Sequence, residues 1–239
     1  MSENLTDSAE IQSAAKPEGA KTLAEDAYNR IRQSILTGEL GAGEKLRLEA
    51  LSKRYDVGMG PLREALSRLT GQALVVTEGQ RGFWVAPLSL KEFDDLTRVR
   101  LLVESEALYA SIARGDAAWE QRVKNAFEVL SEVEERIARN AGSASEFEEA
   151  NRLFHEAIVA NCDSPWLLRL VGMLYQQSER YRRFALIRTN QIRSVHDEHE
   201  ALVTAVLTRN GLRACRVLEL HLQGTANVVR AALSTQRPS

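Results

Sequence analysis

The chain of 239 residues has only two cysteines, five prolines and 6% aromatic residues, and each scarcity excludes something. Cys162 and Cys215 stand far apart in helix-like sequence with no CxxC spacing. That excludes a disulfide-stapled scaffold and a thiolate metal knuckle; both read as reduced, partly buried thiols. No apolar run approaches the ~18 residues of a membrane span, and the N-terminus has no signal-like apolar segment, so a cytoplasmic protein without a membrane partner is expected. A net charge of -2 argues against a broad electrostatic binder of nucleic acid but leaves room for a small module that reads DNA locally. Apolar residues make up 44%, enough at this length for two cores.

What is present begins with helical periodicity. Residues 1–20 show no sustained period and read as a disordered arm. Thr22 with Glu25 forms a capping box, Leu23, Ala27, Ile31, Ile35 and Leu36 make one stripe, and Gly38 ends the helix. Leu40 to Gly43 is a turn. Leu46 to Leu69 then reads as two short amphipathic helices, with Leu48, Leu51, Tyr55 and Val57 leading into Leu62, Ala65, Leu66 and Leu69. Asp56-Val57-Gly58 supplies the turn between them, and Gly60-Pro61 opens the second helix with proline at its first position, where its missing N–H costs nothing. On these residues alone an ordinary αα-hairpin and a helix-turn-helix stand about level.

The next stretch decides between them. Leu74–Thr77 and Phe83–Ala86 are β-branched and aromatic runs about a tip of Glu78-Gly79-Gln80-Arg81-Gly82, which makes a β-hairpin. Three helices and a hairpin are the plan of a winged helix, with Arg81 at the tip placed for a phosphate or the minor groove. The domain division is thus 1–20 arm, 21–86 winged helix-turn-helix, 87–90 linker and 91–235 all-α bundle. The bundle reads as helices near 90–114, 117–140, 144–161, 165–188, 193–209 and 211–233, broken by Gly and Asn pairs and by Ser164-Pro165.

Leu51-Ser52, Val57, Pro61 to Leu66, Leu69, Gly82 and Val85 resemble the winged-helix domain of GntR-family regulators. Arg100 with Glu104, Phe154-His155 with Ile158, Glu198-His199 and His221 resemble the FCD-type bundle of that family's FadR-like branch. Tyr55-Asp56-x-Gly58-x-Gly60-Pro61-Leu62-Arg63-Glu64 and Ala113 to Glu120 resemble the carbon-starvation-induced, glutarate-responsive repressors. The fold implied is mainly α: a winged helix-turn-helix followed by an FCD-type bundle. The family commonly has Ser and Arg where this chain has Gly58 and Met59. Base readout is therefore expected to shift to Arg63, the backbone N–H groups around Gly60 and the wing's Arg81, with Gly58-Met59-Gly60 as a flexible turn. Arg47, Lys53 and Arg54 read as phosphate contacts, and equally as a solvated helix face.

All four histidines fall in the bundle. Asn151 and His155 are four apart and share a helix face, and His155, His199 and His221 each sit in an apolar amphipathic setting. On the residues alone, unrelated core or surface histidines are the simpler reading. The resemblance reverses it, because metal-binding FCD proteins place an Asp and three His at the positions of Asn151, His155, His199 and His221. Asn151 keeps a carbonyl oxygen and loses the charge. The metal implied is divalent, zinc first, then nickel or manganese. His196 is left as a surface residue. For a small carboxylate effector the resemblance offers Arg100, with Glu104 orienting it; Arg180 and Tyr181 in the run SERYRRF are further candidates, or else a solvated face.

The function expected is a homodimeric, ligand-responsive regulator, a repressor released from operator DNA by a small carboxylate, possibly glutarate. Coupling would run through the helix near 90–114 and Pro87-Leu88-Ser89. Two other classes are weighed against it. A metal-dependent hydrolase would turn over small esters or amides, but the sequence has no HExxH. A helical adaptor would bind no DNA.

Overall fold

The computed structural model describes residues 22–79, 81–189 and 193–234; the expected arm at 1–20 lies outside them. The head comprises α1 (Leu23–Leu36), β1 (Lys45–Leu46), α2 (Leu48–Tyr55), α3 (Met59–Gly71), β2 (Val75–Thr77) and β3 (Phe83–Val85). Thr22 caps α1 by accepting from the Glu25 N–H at 3.1 Å. Ala24, Ala27, Ile31 and Ile35 are buried, whereas Leu23 is exposed. Ile31, Leu62, Leu66, Leu69 and Leu74 fill the centre of the head, fully enclosed.

The connection between α2 and α3 departs from expectation in a useful way. The left-handed residue is Asp56, at φ 53°, and Gly58 is extended and caps α3. Met59 and Gly60 are already helical, so this run is the first turn of α3 and not a flexible link. Pro61 sits third in the helix, where the N–H it lacks would also have had no partner inside the helix. The wing forms as expected, but β1 adds a third strand in the order β1-β3-β2, with Lys45 opposite Trp84 and Val76 opposite Trp84 on the other side. A two-residue strand has no alternation to read in sequence.

The bundle contains α4 (Leu90–Arg114), α5 (Ala117–Ala138), α6 (Ala144–Val159), α7 (Pro165–Thr189), α8 (His196–Leu207) and α9 (Gly211–Ser234). Helix α4 packs on α6, α7 and α9, around a core that includes Leu108, Trp119, Leu130, Phe154, Ile158 and Leu202. The Trp119 indole N–H donates to the Ala157 carbonyl at 2.9 Å, which satisfies its one polar atom. Cys162 and Cys215 are free thiols. No described helix is long and apolar enough to cross a membrane. Helix α8 starts at His196, later than the periodicity suggests, because Arg193 leaves the helical path to pair with Glu198.

Helix α6 opens on a complete capping box, Ser143 with Glu146, in which each side chain bonds the other's backbone. Ser143→Ala is expected to destabilise the bundle by about 1 kcal/mol, measured by urea unfolding. An unchanged midpoint would show that the cap contributes nothing.

Head and bundle meet along α7. Arg180 is 5% exposed and reaches the head's backbone, donating to the Ala86 carbonyl at 2.6 Å and the Ala73 carbonyl at 3.5 Å. Gln177 donates to the Gln72 carbonyl. The Gln72 and Ala73 carbonyls belong to the turn that ends α3, where Ala73 stands in the left-handed region at φ 54°, and the Ala86 carbonyl follows the end of β3. Helix α7 thus grips the C-terminal end of the second helix of the helix-turn-helix.

Candidate functional site

Three helices bring three histidines together: His155 from α6, His199 from α8 and His221 from α9. A ligand nitrogen from each lies within 4.8 Å of the others, and all three side chains are buried. Asn151, one turn before His155, lines the same cavity as His155 and His221. The outer nitrogens are occupied. His199 Nδ1 lies 2.6 Å from Glu134 Oε1, and His221 Nδ1 lies 2.9 Å from Glu198 Oε2. A carboxylate only accepts, so each Nδ1 carries the proton and each Nε2 keeps its lone pair.

Two atoms are left over by this arrangement. His199 Nε2 and Asn151 Oδ1 are buried without a hydrogen-bond partner among the described residues. Asn151 is held by its other end, Nδ2 donating to the Tyr175 hydroxyl at 2.6 Å. Orphaned buried acceptors are costly unless something binds them. Three imidazole nitrogens and a carbonyl oxygen, with two imidazoles backed by carboxylates, fit a divalent metal such as zinc.

Two of the imidazoles, His155 and His221, are held neutral. Burial, then the neighbouring His221 and His199, pushes His155 well below the usual histidine range. Burial lowers His221 to about 4, against the pull of Glu198. Burial would raise Glu198, but hydrogen bonds from His221 and Arg193 win and hold it below the usual carboxylate value. In chelator-treated protein the unfolded chain therefore takes up protons below about pH 6.5 while folded His155 and His221 do not. Stability is full above that pH and falls as pH drops towards 4, by up to about 2.7 kcal/mol per pH unit for two groups. His196, raised by its bond to Glu134, works the other way but is only half-buried. Melting curves from pH 7.5 to 5.0 check this, and a flat series contradicts it.

Around the histidines the cavity has a polar and an apolar side. Ala185, Leu186, Leu222, Val228 and Val229 make the apolar wall. Arg100 faces the cavity as expected, pairing with Glu104 at 2.7 Å and donating to Ser178 at 2.6 Å. Arg182 faces it too, paired with Glu148 at 2.7 Å. Both guanidiniums lie against the Tyr175 ring, 5.7 and 4.6 Å from its centre.

Arg180 and Tyr181, expected at the ligand, do not line this cavity. Residue 182 is seven after Tyr175 and shares its face, whereas 180 is turned about 140° away around the helix. Arg180 serves the head as described, and burial lowers its pKa. The Tyr181 hydroxyl donates to Glu92 Oε2 at 3.1 Å, and burial raises it to about 12. The run SERYRRF is a buried, divided helix and not a solvated face. Sequence reading also missed Glu134, Tyr175, Arg182 and Arg193. The spacing of Tyr175, Ser178 and Arg182 is the signal that would have found the α7 members.

On the head, Arg63 is exposed on α3 and makes no ion pair among the described residues. Gly58, Met59 and Gly60 are exposed at the start of that helix, with no side chain capping its first N–H groups. Arg47, Lys53 and Arg81 are exposed, Arg81 in the wing turn. Arg54 differs, since it pairs with Glu39 at 2.6 Å.

A family profile described as bacterial regulatory proteins, gntR family, matches residues 23–85, and the FCD domain profile matches residues 95–224. The uncharacterized HTH-type transcriptional regulator BphR of Paraburkholderia xenovorans is 42% identical over 88% of this chain and 86% of its own. The HTH-type transcriptional repressor GlaR of Escherichia coli is 35% identical over 87% of this chain and 96% of its own. Among solved structures, E. coli McbR/YncC has the same fold, with a TM-score of 0.72 at 19% identity over 87% of this chain and 97% of that one.

Proposed function

Because the chain belongs to the GntR family of bacterial regulatory proteins and carries an FCD domain behind its winged head, we propose that it is a transcriptional repressor released from its operator by a small carboxylate. The observation that carries the reading is that one helix, α7, lines the histidine cavity with Tyr175 and Arg182 and grips the end of α3 with Gln177 and Arg180. Helix α3 enters the major groove in this reading. Arg63 reads a base edge, the N–H groups at Gly58–Gly60 meet phosphate, and Lys53, Arg47 and Arg81 hold the backbone. Two copies form a homodimer on two half-sites. GlaR is a repressor by name, and the resemblance to glutarate-responsive repressors makes glutarate or a related dicarboxylate the first effector to test.

His155, His199 and His221 would hold the metal, zinc, through nitrogen and Asn151 through its carbonyl oxygen; the bound metal would supply a Lewis-acid contact for a carboxylate oxygen. The chain's own part is to orient these donors through Glu134, Glu198 and Tyr175 and to present Arg100 and Arg182 to the acid.

A mobility-shift assay with DNA upstream of the chain's own gene tests the proposal. Retarded DNA that millimolar glutarate or a related acid frees is the expected result. Absence of any shift would favour an adaptor, and turnover of small esters lost on chelation would favour a hydrolase; either overturns the repressor.

A further inference from the structure

The groups that face one another in the histidine cluster include no carboxylate. His155, His199 and His221 offer imidazole nitrogens, which are neutral when they bind a metal, and Asn151 offers a neutral amide oxygen. The cations on the cavity wall are already matched: Arg100 by Glu104, Arg182 by Glu148 and Arg193 by Glu198. Glu134 has no arginine partner among the described residues, but it stands behind His199, on the Nδ1 side, and is shared with His196. A divalent ion held by these donors brings two positive charges into a buried pocket, and the donors themselves cancel neither. A buried charge without a counter-charge is costly. An aspartate at position 151 would cancel one of the two.

We infer that Asn151 makes metal and carboxylate binding mutually dependent, the acid supplying the negative charge that the protein's own donors omit. This rests on the reading that the bundle takes a small carboxylate, and it narrows the class: the effector must be an anion with an oxygen donor, and a neutral amide of the same size does not replace it. Linkage then requires each ligand to tighten the other by the same factor.

Calorimetric titration of zinc into the full-length, metal-free protein tests the inference, with no acid, with glutarate, and with the uncharged diamide glutaramide. Zinc affinity should rise at least about tenfold with glutarate and stay unchanged with glutaramide. Asn151→Asp should bind zinc at least about tenfold tighter than wild type without acid and lose most of the gain from glutarate. Equal zinc affinity with and without every dicarboxylate from malonate to adipate overturns the inference, and so does Asn151→Asp coupled as strongly as wild type. The wild-type titration decides even if the variant fails to fold. Mobility shifts run in parallel separate the two readings. Operator release by an acid at the same concentration with and without zinc sinks the coupling and leaves the repressor standing. Zinc–acid coupling without operator release sinks the repressor and leaves the coupling.

Discussion

Arg63→Ala lowers operator affinity by about 1–3 kcal/mol, roughly five- to 150-fold, and leaves the melting temperature where it was. Arg63 stands on the exposed face of α3, one helical position after the buried Leu62, and no described residue pairs with it. The fold therefore loses nothing when it is shortened, whereas the base contact proposed for Arg63 would be lost whole. Two neighbouring variants separate base reading from other effects. Lys53→Ala should weaken all sequences alike and reduce the salt dependence by about one charge. Arg68→Ala should lose stability and not specificity, because Arg68 is tied to Glu25 at 2.7 Å and lies 4.2 Å over the Tyr28 ring. Fluorescence anisotropy on operator and scrambled DNA, beside thermal melts, reads all three. An Arg63→Ala protein that binds operator as wild type does would remove α3 as the reader.

Arg180→Met keeps the acid bound and abolishes the response of the head. Its guanidinium is the buried link from α7 to the carbonyls of Ala73 and Ala86, at the end of α3 and of β3. A hydrogen bond from a charged donor contributes about 1.5–3 kcal/mol, and methionine restores the bulk without the bonds. An acid that changes operator affinity in the wild type within the usual 5–150-fold range should change it by less than about twofold in the variant. Acid affinity, read by calorimetry, should stay close to wild type because Arg180 does not line the cavity. This route differs from one running only through α4 and Pro87-Leu88-Ser89. Lengthening that linker with Gly-Ser leaves the Gln177 and Arg180 bonds available, so part of the response should survive. A full response in Arg180→Met would return the coupling to α4.

The parts legible in sequence are those with local periodicity. The Leu62, Leu66 and Leu69 stripe placed α3, the β-branched runs placed the wing, and the i, i+4 spacing put Asn151 and His155 on one face. His199 and His221 could be gathered with them only by resemblance, since nothing in a single sequence says which faces of three distant helices converge. Glu134 was invisible for the same reason: it meets His199 across 65 residues and leaves no local signature. In SERYRRF the arginines at 180 and 182 look alike, and only the phase of α7 relative to Tyr175 assigns one to the cavity and the other to the junction. The turn at Asp56-Val57-Gly58 was legible, but two glycines suggest slack in Gly58-Met59-Gly60, where Gly58 caps α3 and Met59 already opens it.

If the bundle's ligand controls the head, the coupling must be reciprocal. The most direct measurement is the acid's dissociation constant for the zinc-loaded protein, taken once free and once saturated with operator DNA. The acid should bind more weakly to the operator complex by the same factor by which it weakens operator binding. An acid that releases the operator yet binds free and operator-bound protein with equal affinity would contradict the account.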